Sequence, residues 1–96
     1  MPKNPLHTGK VLDVAGNTLF NVVTGGTFTT AGGDDTETIT DSIIEAADLV
    51  IVMLKTEGST PRTVDAASAN AGSITVTLSG DPSTDHVLQY VALRTT

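Results

Sequence analysis

The second half of the chain contains three stretches with the residue pattern of β-strands. Residues 49–54, Leu-Val-Ile-Val-Met-Leu, form a continuous apolar run. Residues 74–79, Ile-Thr-Val-Thr-Leu-Ser, alternate between apolar and hydroxyl side chains, which is the period of a strand with one buried face. Residues 86–94 follow with two largely apolar faces. Turn-forming residues separate the three stretches, so the pattern predicts an all-β domain.

The apolar run is the best candidate for a central strand of the core. Because residues 49–54 have no polar face, both sides of that strand are expected to be covered. The stretch at residues 86–94 also needs cover on both faces. An inner position in a sheet would supply it, and so would a neighbouring subunit.

Shorter strands are predicted elsewhere, and together they indicate a small β-sandwich or a partly closed barrel. Residues 36–40 place three threonines on one side, opposite Glu37 and Ile39, which is typical of a sheet surface open to water. Residues 41–47 are too short for an independent helix and are predicted to form a bend or a single turn. The other predicted strands are residues 11–14, 18–24, 27–30 and 62–67, with a break at Gly25 and Gly26.

The length of 96 residues fits one domain. Phe20, Phe28 and Tyr90 are the only aromatic residues and cysteine is absent, so the core must consist of aliphatic side chains without a disulfide. Small domains of this kind often gain stability by forming oligomers, and we expect self-association. Residues 1–10, with two prolines and a glycine, are predicted to form an extended N-terminal arm, and residues 11–96 a single β domain.

The net charge of −6 argues against nucleic acid as a partner. A surface for DNA or RNA needs clustered basic side chains, whereas the five here are scattered along the chain. No apolar segment approaches the roughly 20 residues that span a bilayer, and the N-terminus lacks the apolar segment of a signal peptide. We therefore expect synthesis in the cytoplasm and no membrane partner.

Asp34, Asp35 and Glu37 form the densest acidic cluster. Calcium requires about six to eight oxygen ligands in a defined order, and the pattern of a calcium-binding loop is absent. The cluster is therefore interpreted as a solvated turn.

Asp81 and Asp85 lie on either side of Pro82, and His86 follows directly. With a nearby serine or threonine they suggest a catalytic triad, but a triad needs a base held against a nucleophile in space. Asp81 is better explained as a turn-forming residue and His86 as a residue at the edge of a strand. A small hydrolase or metal enzyme would require an activity that depends on Asp81, Asp85 or His86.

The remaining chemical signals are isolated. The glycine pairs at 25–26 and 32–33 are interpreted as turn glycines, because no helix with Lys-Ser or Lys-Thr follows to form a phosphate-binding loop. His7 lacks the partner ligands of a metal site. Arg94 can pair with an acid on an adjacent strand or subunit. The sequence therefore predicts no catalytic residue, no metal ligand and no cofactor.

Two sets of segments carry a family resemblance. The first is Gly-Gly-Thr-Phe at 25–28 with Ala-Gly-Gly-Asp-Asp-Thr-Glu-Thr at 31–38. The second is formed by residues 47–50, 74–77, 80–82, 85–86 and 90–94. Together they cover most of the chain from about Thr24 onward. These segments resemble stretches in small structural proteins of tailed bacteriophages, which are often encoded beside the major capsid protein.

The resemblance implies a head decoration protein, also called capsid cement. Such proteins are non-enzymatic virion components that bind the outside of the capsid, commonly as trimers, and stabilise it against the pressure of packaged DNA. It implies the major capsid protein as a partner, a homotrimer, and a location on the capsid exterior. A protein facing the packaged DNA would be expected to be basic, and this chain is acidic. A tail, fibre or baseplate module is the alternative, since it shares the β-rich, threonine-rich composition.

Overall fold

The computed structural model describes residues 10–12, 14–16 and 18–95. The described residues form seven strands without a helix, which confirms the all-β prediction. Of the predicted arm at residues 1–10, only Lys10 is described, and it begins the first strand; the rest of the arm lies outside the described residues. The strands are β1 (Lys10–Leu12), β2 (Thr18–Thr29), β3 (Thr36–Thr40), β4 (Leu49–Thr56), β5 (Val64–Asn70), β6 (Ser73–Leu78) and β7 (Val87–Thr95).

The strands form two antiparallel sheets packed as a β-sandwich. One sheet has four strands in the order β1-β2-β7-β4, and the other has three in the order β3-β6-β5. Neither sheet closes into a barrel, so of the two predicted architectures the sandwich is the one observed. As an inner-strand position requires, β7 is hydrogen-bonded to β2 on one side and to β4 on the other.

The core lies between the sheets and is built from aliphatic side chains. Ile74, Val76 and Leu78 of β6 are buried, as their alternation with hydroxyl residues predicts. They meet Leu88 and Ala92 from the inner side of β7. Ile39 of β3 and Ile44 of the loop between β3 and β4 complete the buried cluster. That loop is a turn, as predicted, with the Ile44 N–H donating to the Asp41 carbonyl at 3.1 Å.

The predicted central position of residues 49–54 is wrong. β4 lies at the end of its sheet, with β7 on one side and no hydrogen-bonded strand on the other among the described residues. Val50, Val52 and Leu54 pack towards the core, whereas the outward side chains of β4 are exposed. Both faces of β4 are apolar, but only the inward face is covered within one copy of the chain.

The predicted break at Gly25 and Gly26 is also wrong. β2 passes through both glycines without interruption and includes residues 27–29 of the segment 27–30 that was predicted as a separate strand. A Cβ at Gly25 would lie 2.9 Å from the Tyr90 carbonyl oxygen, and one at Gly26 would lie 3.3 Å from the Tyr90 hydroxyl. These glycines allow β2 to approach Tyr90 of β7 closely.

Candidate functional site

The outer face of the four-stranded sheet carries three rows of side chains across β4, β7 and β2. The pairing registers define the rows, because residues paired across antiparallel strands point to the same face. The first row is Leu49, Leu93 and Val22; the second is Ile51, Val91 and Gly25; the third is Met53, Gln89 and Thr27. We call the six apolar side chains in these rows the apolar face: Leu49, Ile51, Met53, Val91, Leu93 and Val22.

Four of the six side chains of the apolar face are exposed to water, whereas Val91 is half-buried and Leu93 is buried. Met53 is 64 % exposed, Leu49 50 % and Ile51 44 %, and Val22 is exposed on β2. An open depression of about 180 Å³ lies between β4 and β7, lined by Ile51, Met53, Gln89, Tyr90 and Val91. Contiguous apolar surface of this kind is typical of a place where another molecule binds.

The apolar face contains no acidic residue, although the protein carries a net charge of −6. None of β2, β4 and β7 contains an aspartate or a glutamate. On β4 the first charged residue is Lys55, which follows the three exposed apolar side chains. β4 also lacks a proline along the edge that pairs with no described strand, so of the features that usually protect an edge strand it has only Lys55.

Asp48 and Arg94 hold one end of this sheet together. Arg94 Nε donates to Asp48 Oδ1 at 2.7 Å, and Arg94 Nη2 donates to Asp48 Oδ2 at 2.9 Å. The Asp48 side chain is only 1 % exposed, so the predicted partner of Arg94 is a buried carboxylate on the same chain. Hydrogen bonds from Arg94 hold the pKa of Asp48 below its ordinary value and raise the pKa of Arg94. The pair fixes the residue that directly precedes β4 to the end of β7.

Asp41 anchors the same end of the sandwich from inside. Its Oδ2 accepts from Thr24 Oγ1 at 2.7 Å and from the Tyr90 hydroxyl at 2.9 Å, and its Oδ1 accepts from the Ile43 N–H at 3.1 Å. The hydrogen bond from Thr24 is the main reason why the pKa of Asp41 is lowered. Burial, with Asp41 nearby, raises the pKa of Tyr90. These contacts tie the 41–48 loop to β2 and β7.

His86 lies at the opposite end of β7 and is buried, 1 % exposed. Its Nδ1 is 2.5 Å from the Pro82 carbonyl oxygen and 3.1 Å from Asp85 Oδ1, and its Nε2 is 3.0 Å from the Thr60 carbonyl oxygen. His86 directly precedes β7, at the end of a strand as predicted, and its buried ring links two loops.

The contacts of Asp85 and His86 differ from those of a triad. The Ser59 N–H and hydroxyl both donate to Asp85 Oδ2 at 2.9 Å, and these bonds hold the pKa of Asp85 below its ordinary value. Ser59 therefore contacts the Asp85 carboxylate, whereas the His86 nitrogens face that carboxylate and the Pro82 and Thr60 carbonyls, which is not the order of contacts in a triad. Gly58 allows this close packing, because a Cβ there would lie 2.7 Å from His86 Nδ1.

Asp81 serves a turn and does not join Asp85 and His86. Its Oδ1 accepts from the Ser83 N–H at 2.8 Å, which confirms the predicted turn-forming role, and from the Gly33 N–H at 3.2 Å. Gly32 and Gly33 have φ of +76° and +102°, so the predicted turn glycines are confirmed at this pair.

The predicted acidic cluster is divided between solvent and core. Asp34 and Asp35 are exposed and bond to Thr36, whereas Glu37 is 2 % exposed and accepts from the Ala31 and Gly32 N–H groups at 2.6 and 3.1 Å. In the described part of the chain, no three histidine or acidic side chains converge as metal ligands would. His7 lies outside the described residues.

Comparison with protein-family models, with curated proteins and with solved structures found no match to this chain. Within residues 10–12, 14–16 and 18–95, no helix is long and apolar enough to cross a membrane.

The apolar face is the site that sequence reasoning missed. Its signal was present in residues 49–54, whose outward and inward positions are equally apolar. That signal was interpreted as a covered central strand, because the strand order that makes β4 an edge cannot be deduced from the run itself. The burial of His86 left no comparable signal, since the Thr60 carbonyl that it faces lies 26 residues away. Glu37 is held by the Ala31 and Gly32 N–H groups of the preceding turn.

Proposed function

We propose that this chain is a non-enzymatic structural subunit of a larger protein assembly, and that the assembly is a bacteriophage head with the chain bound to the outside of the capsid. The apolar face is the observation that carries the proposal. A charge-free apolar surface on an acidic domain of 96 residues is suited to contact with other protein subunits.

The sequence resemblance supports the more specific role of head decoration protein. The acidic charge agrees with a location away from packaged DNA. The described contacts between titratable groups join loops to strands or lie within one loop: Asp48 and Glu45 with Arg94, Asp41 with Tyr90, and Asp85 with His86. Stabilisation would follow from area buried across capsomer joints, with many modest contacts acting together.

The test is binding to capsid shells assembled from the major capsid protein of the phage that encodes this chain, which the proposal makes its partner. The purified chain is mixed with the shells and separated on a density gradient. We expect it to sediment with the shells, to saturate at a fixed ratio to the capsid protein, and to raise the temperature at which the shells fall apart. A chain that stays at the top of the gradient at every concentration would refute the capsid role. Labelling of the tail in intact virions would favour the tail, fibre or baseplate module instead.

The arm predicted at residues 1–10 can be tested in the same assay. Because Lys10 already belongs to β1, the deletion should remove residues 1–9 only. We expect the shortened chain to keep its thermal unfolding transition and to lose binding to the shells. Full binding by the shortened chain would reject the docking role of the arm.

A further inference from the structure

The apolar face carries no charge and four of its six side chains are exposed to water, so it is suited to contact with another molecule. An apolar side chain gains free energy when it leaves water, at about 25 cal/mol for each Å² of apolar surface buried. A strongly charged partner would lose hydration on this face without meeting a counter-charge, since the first charge along β4 is Lys55. The surface therefore favours a partner that is itself apolar and uncharged where it binds.

From these features we infer that the apolar face is the contact surface between copies of this chain, centred on Leu49, Ile51 and Met53 of β4. A second copy presents a surface of the required chemistry. The inference concerns contact between copies, so it would stand even if binding to a capsid were disproved.

Charge does not oppose this contact, although each copy carries −6. Glu37 and Asp65 are the only acids within the described strands, and both belong to the three-stranded sheet. Packed sheets lie about 10 Å apart, so neither acid reaches a copy that binds the apolar face. The loops at the two ends of β4 carry Glu45, Asp48 and Glu57, of which Asp48 is buried against Arg94. Two copies can thus meet at the centre of this face without bringing acids into contact.

The whole outer face of the three strands is large enough for a specific contact, with the apolar face at its centre. The three rows span four residue steps, about 14 Å along strands about 4.8 Å apart, so the apolar face itself covers roughly 200 Å² in projection. The outer face of the three strands over their full length of about 30 Å covers roughly 400 Å². Two such faces contribute about 800 Å², and the side chains that stand out of the plane raise the accessible area towards the ~1,200 Å² at which stable interfaces begin. The edge of β4 that pairs with no described strand borders the face and adds backbone groups that a second copy can cover.

Sedimentation velocity of the full chain over a range of concentrations tests the inference. We expect a mass of two or three times 9.8 kDa at micromolar concentration. Met53→Glu and Met53→Lys should both weaken association at least tenfold, because each places a charge in the contact. Met53→Lys separates this cause from overall repulsion, since it reduces the net negative charge and would strengthen association if repulsion were the dominant effect.

Thr38→Glu is the matched control. Thr38 is exposed on β3, an edge strand of the other sheet, so the same charge is added outside the apolar face. We expect this variant to associate like the unmodified chain, and all three variants to keep a cooperative thermal transition.

Three results would overturn the inference. The first is an unmodified chain that remains at 9.8 kDa at every concentration. The second is association that survives both Met53 substitutions or is lost equally in Thr38→Glu. The third is a monomer that associates only after residues 1–9 are removed, which would show that the chain's own N-terminal segment covers the face.

Discussion

Three rows of side chains cross the outer face of each sheet, and the two sets of rows differ in chemistry. On the three-stranded sheet the rows are Thr36-Thr77-Ala66, Thr38-Thr75-Ser68 and Thr40-Ser73-Asn70. Asn70 Nδ2 donates to Thr75 Oγ1 at 2.9 Å, so this surface forms hydrogen bonds of its own as well as with water. On the four-stranded sheet the corresponding rows are mainly aliphatic. One sandwich thus has one face suited to solvent and another suited to protein.

The comparison shows that strand pattern and strand position carry different information. On β6, apolar side chains that face the core alternate with hydroxyl side chains on the outer face. Because hydroxyl groups are compatible with water, that outer face does not have to be buried. β4 has the same alternation of burial, but its outward residues are as apolar as its inward ones. The two sheets therefore differ in their outer faces, which do not contribute to the core of a single copy.

The largest expected effect is on the free energy of unfolding, and it distinguishes the inner side of the four-stranded sheet from its outer side. Leu88 is fully buried between the sheets, so Leu88→Ala should lower the free energy of unfolding by about 2–5 kcal/mol. Met53→Ala, on the outer side, should cost less than about 1 kcal/mol when measured at concentrations too low for association. Urea denaturation of both variants checks this. Equal losses would mean that the outer side of β4 is covered within one copy.

The next effect concerns the start of β4. Asp48→Asn removes the charge that Arg94 contacts through two hydrogen bonds, and should cost about 1–3 kcal/mol. Glu45→Gln is the matched control, because Glu45 contacts Arg94 at 3.1 Å but its side chain is 64 % exposed. We expect the control to cost less than about 1 kcal/mol. If Glu45→Gln is the more damaging change, the loop is held from outside and the buried contact is secondary.

Acid should weaken the same end of the sandwich. The pKa values of Asp48 and Asp41 are lowered in the folded chain, so their contribution to stability is fully present above the ordinary value of 3.8. It is lost as the pH falls below 3.8 and through the lower folded-state pKa values. Unfolding by urea at pH 7 and at about pH 3 should show this loss, and Asp48→Asn should reduce it. A stability that does not change over this range would contradict the assignment.

The smallest effect on stability should come from exchanging the chemistry of the two outer faces. Ile51→Thr makes the apolar face resemble the hydroxyl rows, and Thr38→Val does the reverse on the other sheet. Each should change the free energy of unfolding by about 0.5 kcal/mol or less in the separate chain. Binding of a dye that reports exposed apolar surface should fall with Ile51→Thr and rise with Thr38→Val. If dye binding changed in the same direction in both variants, the proposed difference in chemistry between the two outer faces would be contradicted.

Much of the fold could be predicted because it depends on local patterns. The alternation at Ile74, Val76 and Leu78 identified the core side of β6, and the threonines at 36–40 identified an outer surface. The Asp81 turn was also predictable, because a side chain two residues from its bonded N–H makes a local contact.

The failures come from contacts between distant residues. Gly25 and Gly26 have the composition of a break, and only the position of Tyr90 on β7 shows why glycine belongs inside a strand. The burial of His86 depends on the Thr60 carbonyl and on the space left by Gly58, both in another loop. The site itself required the strand order, which places the apolar run at an edge.

The position of β7 between β2 and β4 has a consequence for the order of events during synthesis. It is the last of the seven strands to leave the ribosome, yet both larger ladders of its sheet depend on it. The three-stranded sheet is complete in sequence at Leu78 and can form first. Until residues 87–95 are made, the apolar β4 has no neighbour in its own sheet, and such segments are prone to aggregate. A nascent chain stopped before Val87 is therefore expected in the insoluble fraction. By pairing with β4, the nine-residue strand β7 protects the segment of the chain that is most prone to aggregate.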